Sequence, residues 1–381
     1  MKILVAPNAF KEALSAKEAA EAIKGGLIRA LPESNIITLP IADGGDGTIE
    51  VLVEATNGRI IQTEVTGPLG EKRLAEFGIL GDGKTAVIEM ARASGLALVP
   101  KEKRNPAITT TYGVGELIRR ALEEGAKKIL IGIGGSATND GGAGMAQALG
   151  ARLLDKNDRD IPFGGLALLS LHHIDMSGFL PLAGDCEVVV MADVKNPLCG
   201  PEGASYIYGP QKGGDRNLIE KLDKALYNFS CVVKRDLGKD ILDIPGSGAA
   251  GGLGGGLIAF LDAKLKPGIE VVMEILKVES SLEGVDLVIS GEGKIDSQTF
   301  FGKAPAGIAK KAKERGIPVV FLGGTVEKNA DILQEENLVD ALFSIVSGPI
   351  SLEESMKNTS EELEWISYQI GRLIKSFIKH N

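Results

Sequence analysis

Glycine clusters at the ends of apolar runs constrain this chain more than any other feature. Fifty of its 381 residues are glycine, nearly twice the average share of roughly 7%. They follow no fixed period, which excludes collagen and simple linkers. Clustered glycine at a strand end lets the backbone approach a neighbour or a ligand closely. In α/β folds the loops at the carboxyl ends of parallel strands are where ligands bind.

Both ends of the chain carry a βα rhythm. Residues 2–7 read as a strand, and Ser15 with Glu18 forms a capping box that starts a helix near Ala16. Ala19, Ile23, Leu27 and Ala30 give that helix one apolar face, and Gly25 and Gly26 weaken it without ending it. A strand at 35–40 leads through the loop 41–47 to a helix near 48–55. Beyond Val285 come a strand to Ser290, a helix at 305–315, strands at 318–322 and 341–346, and a closing helix at 352–379. The texture between differs. Strands at 59–65, 71–80 and 84–90 are separated by the turn signals Gly67-Pro68 and Gly81-Asp82-Gly83. A helix at 113–124 stops at Gly125, buried strands follow at 128–133 and 187–191, and a further helix lies at 269–276. The expected fold class is α/β: a discontinuous Rossmann-like domain, residues 1–64 and 283–381, with a second α/β domain, 65–282, inserted.

Several function classes drop out. The net charge of -9 comes from interspersed acids and bases, with no basic tail or aromatic-basic patch, so nucleic acid is not an expected partner. No run approaches about 18 apolar residues, and glycines interrupt the least polar stretch, 246–261, so no membrane span is expected. The opening MKILVAPN is too short for a signal peptide. Cys186, Cys199 and Cys231 are far apart, and His172, His173 and His380 lack ligand spacing. A disulfide framework and a zinc site are therefore not expected, and the chain reads as cytoplasmic.

Five loops carry the chemistry. The run Ile131-Gly-Ile-Gly-Gly-Ser-Ala-Thr-Asn-Asp-Gly-Gly-Ala-Gly144 joins a strand to a helix. Its backbone N–H groups and the helix N-terminus suit phosphate. Gly134, Gly135, Ser136, Thr138, Asn139, Gly141 and Gly142 are the candidate contacts, the alternative being a tight turn for strand–helix packing. The run lacks the Gly-Lys-Ser/Thr ending of a Walker A loop. In Pro7-Asn-Ala-Phe-Lys-Glu-Ala-Leu-Ser15, Lys11 precedes a capped helix and can serve as a point charge for phosphate, or be simply solvated. Asp193, closing a buried strand, suits Mg²⁺ or a hydroxyl proton, and equally a helix cap. Cys199 reads as packed, with no histidine near it in sequence. In Ser290-Gly-Glu-Gly-Lys-Ile-Asp-Ser-Gln-Thr299, continuing to Gly302-Lys303, the group Glu292, Lys294 and Asp296 suits metal–phosphate handling, or pairs with itself. Asp43 and Asp46 stand before the helix at 48, where capping by Asp46 is the favoured reading. The glycine runs 209–214 and 248–256 are less informative. Positioning and charge neutralisation by such loops are most of what phosphoryl transfer requires of a protein.

Taken together, Ala6-Pro-Asn-Ala-Phe-Lys-Glu-Ala-Leu-Ser-Ala16, Pro40-Ile-Ala-Asp-Gly-Gly-Asp-Gly-Thr48, the glycine-rich run ending at Gly144, the stretch 193–200, Tyr208-Gly-Pro-Gln-Lys-Gly213, the stretch 248–257 and the stretch 286–303 resemble the type I glycerate kinases. The motifs keep that family's order and span residues 1 to about 310. The resemblance implies a two-domain α/β enzyme with an interdomain site. It implies transfer of the ATP γ-phosphate to D-glycerate, at the 2-hydroxyl, in glycerate or glyoxylate catabolism. ATP and Mg²⁺ are the implied cofactors, and homo-oligomerisation is left open. The family often has Asp-Ser where this chain has Asn8-Ala9, so the essential carboxylate is expected elsewhere, Asp193 first and Asp296 second. Both double as candidate metal ligands, while Lys11 and Lys294 neutralise charge. The rivals are phosphorylation at the 3-hydroxyl, a Rossmann oxidoreductase, disfavoured by the missing G-x-G-x-x-G, and a non-catalytic sensor of glycerate or nucleotide.

Overall fold

The computed structural model describes residues 1–300 and 304–378. The chain divides into two compact units, Met1–Asp43 with Ile269–Asn381, and Gly44–Gly268. The breaks fall earlier than the sequence-based boundaries of 64/65 and 282/283, for a packing reason. The helix Thr48–Ala55 lies against the meander of the second unit, where the Glu89 carboxylate accepts the Ile49 N–H at 3.0 Å. At the other break, the helix Gly268–Ile275 turns Ile269 and Met273 onto Gly307 of the first unit.

Strands are numbered along the chain. The first unit contains β1 (Lys2–Val5), β2 (Asn35–Thr38), β11 (Leu287–Ile295), β12 (Val319–Val326) and β13 (Ala341–Ser344). They form one sheet in the order β13-β12-β11-β1-β2, parallel throughout. Strand order reverses between β1 and β11, which makes that edge the topological switch point where ligands collect in open α/β sheets. The loops meet there: Asn8 N–H donates to the Gly291 carbonyl at 2.9 Å, and Ser290 Oγ to the Ala6 carbonyl at 2.6 Å. The strand expected to stop at Ser290 runs on to Ile295, because β12 continues to pair with it as far as Ile295 opposite Val326.

The capping box forms as read: Glu18 N–H donates to Ser15 Oγ, and Ser15 N–H to the Glu18 carboxylate. It starts the helix Ala16–Ala30, which packs against the long helix Leu352–Ile378. Gly26 is the contact. A Cβ there would fall on the Glu364 carbonyl oxygen and lie 2.8 Å from the Tyr368 nitrogen. Arg29 ties the same helices together through Glu364 at 2.6 Å.

The second unit contains β3 (Arg59–Thr66), β4 (Lys72–Ile79), β5 (Thr85–Glu89), β6 (Lys128–Gly132), β9 (Glu187–Met191) and β10 (Lys264–Lys266) in the order β10-β9-β6-β5-β4-β3, with β7 (Arg152–Leu154) and β8 (His173–Asp175) as a separate pair. The β3–β4–β5 meander is antiparallel, and the remaining ladders of this sheet are parallel. A helix not foreseen, Arg216–Leu237, starts where Asp215 accepts the Leu218 N–H at 2.8 Å and ends at Gly238. Its apolar stripe, Leu222, Leu226, Phe229 and Val233, is buried, the last three in the core of this unit. Among the described residues, no helix is long and apolar enough to cross a membrane.

Candidate active site

Register sets the geometry of the second unit. Glu89 stands opposite Gly132, and Gly132 opposite Met191, so three parallel strands end level. Gly44 seats itself on this edge, its carbonyl against Gly132 and its α-carbon against the Met191 side chain. Asp46 does not cap the following helix, contrary to the sequence reading. Gly47 is the N-cap, in the left-handed region at φ +91°, and makes no side-chain cap bond. Thr48 Oγ1 closes the turn by donating to the Gly45 carbonyl at 2.7 Å.

The glycine-rich loop beyond β6 has two halves with different jobs. Gly134 and Gly135 are exposed. A Cβ on Gly134 would touch nothing within 4 Å, and Gly135 needs its glycine for φ +70°. Ser136 follows at 7% exposure. From Thr138 onward the loop turns inward. Thr138 and Asn139 are completely buried, and Asn139 Nδ2 is committed to Ser205 Oγ at 2.9 Å. Gly141 N–H donates to the Gly251 carbonyl. Gly141 and Gly142, at φ +62° and +79°, pack on Phe229, Leu253 and Gly256, where a Cβ would stand only 3.0–3.3 Å from its neighbours. Close packing thus describes Gly141 and Gly142, while Thr138 Oγ1 and Asn139 Oδ1 are buried with no hydrogen-bond partner among the described residues.

The helix N-terminus expected to attract phosphate is filled by the chain's own carboxylate. Asp140, fully buried, accepts Thr111 N–H at 2.8 Å, Thr111 Oγ1 at 2.9 Å, and the N–H groups of Gly142 and Gly144 at 3.3 Å each. Burial pushes its carboxyl above the usual range, and these donors pull the other way. The N–H groups of Gly142 and Gly144 are engaged in this way, and the exposed backbone of the loop is Gly134 and Gly135, with Ser136 buried beside it.

Beneath this open half lies a residue that the sequence reading passed over. Lys212 ends the short 3₁₀ turn Pro210–Lys212 and is 1% exposed. Its Nζ donates to Ser136 Oγ and to the Thr138 carbonyl, both at 2.7 Å. Burial lowers its affinity for a proton to a pKa of about 7, with the Asp140 charge acting in the opposite direction. The following Gly213, at φ +92°, presses on the Arg104 carbonyl, which only glycine permits. Flanking glycines around a lone lysine in Gly-Pro-Gln-Lys-Gly were the available signal.

The other motifs of this unit pack around the same loop. Tyr208 Oη donates to Asn196 Oδ1 at 2.6 Å. The N–H groups of Gly246 and Gly248 donate to the Asn196 carbonyl. Gly251 lies directly against the Thr138 carbonyl. Asp193 is exposed just beyond β9, and its Oδ1 accepts the Gly268 N–H at 3.0 Å, so one oxygen caps the helix Gly268–Ile275 as the alternative reading had it. Burial pushes the Cys199 thiol up to about 12, which removes it as a nucleophile near neutral pH.

In the first unit, the sequence candidates lie at the switch point. Lys11 is exposed in the turn after Phe10, and Gly293 approaches its backbone nitrogen so closely that a Cβ would stand at 3.4 Å. Glu292 and Asp296 are both 7% exposed. Thr299 Oγ1 donates to Glu292 at 2.8 Å. Lys294 is an exposed strand residue rather than a loop residue, paired with Glu327 at 2.7 Å and Asp296 at 3.3 Å. Those two carboxylates, Glu327 first, raise its pKa. Gly302, Lys303 and His380 lie outside the described residues. Among the described residues no group of three or more acidic, histidine or cysteine side chains forms a metal cage. Asp296 and Asp193 are carboxylates, the ligand type that Mg²⁺ takes from proteins.

Residues 3–375 match the model of the glycerate kinase family. A glycerate kinase of Bacillus subtilis (strain 168) is 51% identical over 375 residues, covering 98% of each chain. A glycerate 2-kinase of Escherichia coli (strain K12) is 50% identical over 363 residues, covering 95% of each. A crystal structure described as that of a glycerate kinase 2 from Salmonella typhimurium LT2 superposes with a TM-score of 0.90 at 48% identity, covering 100% of this chain and 99% of that one.

Proposed function

The chain belongs to the glycerate kinase family, and we propose that it transfers the γ-phosphoryl group of ATP to the 2-hydroxyl of D-glycerate, giving 2-phosphoglycerate and ADP. The observation that carries this reading is the open half of the glycine-rich loop, Gly134–Ser136, floored by the Lys212 amine. Exposed glycine backbone beside an oriented hydroxyl is a site for phosphate oxygens. It lies level with the strand ends at Glu89 and Met191, where α/β folds place ligands.

The remaining roles follow from chemistry. The acceptor hydroxyl needs a base; Asp193, exposed and with one oxygen anchored on the Gly268 N–H, is held in a fixed direction to take that proton. Lys11 supplies positive charge as the γ-phosphoryl group leaves. Asp296, held beside Lys294, is the carboxylate we assign to Mg²⁺. When bound, that ion neutralises phosphate charge. Lys294 is already paired with two carboxylates, so its part is to orient Asp296 rather than to grip the nucleotide.

A coupled ADP-release assay with D-glycerate, followed by phosphorus NMR of the product, tests this reading. ADP release with 2-phosphoglycerate is expected. Release with 3-phosphoglycerate would overturn the regiochemistry. Glycerate-independent binding without ADP release would overturn catalysis altogether, and the similarity to the E. coli glycerate 2-kinase would then mislead.

A further inference from the structure

Lysine is rarely buried without an ion-pair partner, because removing an ammonium from water costs several kcal/mol. Lys212 is buried to 1%, and the two hydrogen-bond acceptors that face it, Ser136 Oγ and the Thr138 carbonyl, carry no formal charge. The charged group that favours its ammonium form is Asp140, whose own oxygens are occupied by Thr111, Gly142 and Gly144. Charged residues adjoining it in the chain and fold include Arg104, whose carbonyl backs Gly213, Asp215, which caps the helix Arg216–Leu237, and Arg216 and Glu220 on that helix. The amine is thus held where its charge is poorly compensated, directly under the open half of the loop.

The protonation state matters because of Ser136. An ammonium can only donate, so Ser136 Oγ must accept from it, and the hydroxyl's own proton is left to point elsewhere. A neutral amine has a lone pair, and the serine proton can then turn inward to meet it. The first arrangement offers a donor to an incoming oxyanion, and the second withdraws it.

We propose that Lys212 is a positioning residue that couples anion binding to proton uptake: a phosphate oxygen settling on Gly134–Ser136 and a proton settling on the Lys212 amine favour each other. This rests on the reading of that half-loop as the phosphate site. It deepens that reading by making the buried amine, which the ligand does not touch, part of the nucleotide's binding equilibrium. An oxyanion nearby supplies the compensation that the site otherwise lacks, so the amine's affinity for a proton rises when the ligand arrives. Linkage then requires the converse: the ligand binds more tightly when the amine is protonated.

Calorimetric titration of MgADP into the full chain, in two buffers of different ionisation enthalpy, reads the coupling directly. With the free amine near 7, roughly nine-tenths of it is neutral at about pH 8, so uptake of up to ~0.9 proton per MgADP is expected there and almost none at about pH 6. Lys212→Met should abolish the uptake and weaken MgADP by about tenfold to a hundredfold, the usual cost of losing a charged hydrogen-bond donor. Lys212→Arg, charged at every pH tested, should also abolish the uptake and serves where the Met variant does not fold. A wild-type chain that binds MgADP with no proton uptake at pH 8, or an uptake that persists in either variant, overturns the proposal. Ser136→Ala separates the two layers. If it weakens MgADP while the wild type takes up no proton, the coupling is wrong and the phosphate site stands. If MgADP binds Ser136→Ala and Lys212→Met as tightly as wild type, the phosphate site itself is misplaced.

Discussion

Gly25 and Gly26 are neighbours in one helix, yet alanine should act on them in opposite directions. In a helix interior, glycine costs about 1 kcal/mol relative to alanine, and that gain is the baseline for both substitutions. At Gly25 the new Cβ would stand 3.8 Å from the Glu364 side chain, an ordinary van der Waals contact with a side chain free to shift. Gly25→Ala should therefore keep most of the gain and stabilise by about 0.5–1 kcal/mol. At Gly26 the Cβ meets the Glu364 carbonyl oxygen, the Tyr368 nitrogen at 2.8 Å and Ser367 Cβ at 2.9 Å. Two of these are backbone atoms of the partner helix and cannot rotate aside. Helix Leu352–Ile378 must back away, loosening Leu363 and Ile370 from Ile23 and Leu27. Overpacking of this kind costs about 1–3 kcal/mol, and more where backbone must move, so Gly26→Ala should destabilise by about 1–2 kcal/mol net of the helix gain. The two variants should differ by roughly 1.5–3 kcal/mol on these terms. The chain has a single tryptophan, Trp365, and it lies beside Glu364 in that helix. Its fluorescence during urea unfolding reports this contact. Equal midpoints for the two variants would refute the close helix crossing and the reason given for Gly26.

Three further outcomes follow. Asp193→Asn should lower kcat by about 10²- to 10⁴-fold, the typical contribution of a general base, with the urea midpoint nearly unchanged; steady-state kinetics showing normal turnover would remove Asp193 from the chemistry. Asp296→Asn should instead raise the Mg²⁺ concentration needed for half-maximal rate, and a magnesium titration identical to wild type would unseat it as the metal's carboxylate. Lys212 also gives stability a pH dependence. Its folded pKa lies near 7 and its unfolded value near 10.5, so between them the unfolded chain binds the extra proton and stability rises with pH, by at most about 1.4 kcal/mol per unit. Unfolding of Lys212→Met followed from pH 7 to 10 should lack that rise, and a profile parallel to wild type would show that the amine stays charged in the folded chain.

The elements were legible where local chemistry decides them. Ser15 and Glu18 bring their own cap donors and acceptors, and Gly125 at φ +90° supplies the stop after Glu124. What sequence missed was decided by partners distant in the chain. Ser290 looked like a strand end because Gly291 and Gly293 follow it, yet β12 pairs with the strand to Ile295. The helix at 216–237 has a plain stripe at Leu222, Leu226, Phe229 and Val233, but no glycine-rich loop drew attention to it. The site shows the same division. Gly134 and Gly135 are exposed and Ser136 is buried beside them, and nothing local says that Asp140 bends back to occupy its own helix end or that Gly141 and Gly142 are spent on Phe229 and Gly256. Lys212 was hidden for the most ordinary reason, since an isolated lysine in a turn is usually solvated.

The first unit is assembled from both ends of the chain, and this orders events on the ribosome. The strand Lys2–Val5 and the helix with the Gly26 saddle emerge first, yet β11 and the helix Leu352–Ile378 that complete them emerge last. At ~5–20 residues per second, the opening segment waits roughly 20–70 s for its partners. The stretch Gly44–Gly268 is contiguous and can fold in that interval. An apolar strand left with an open edge for so long is the portion of the nascent polypeptide that most needs a chaperone's cover.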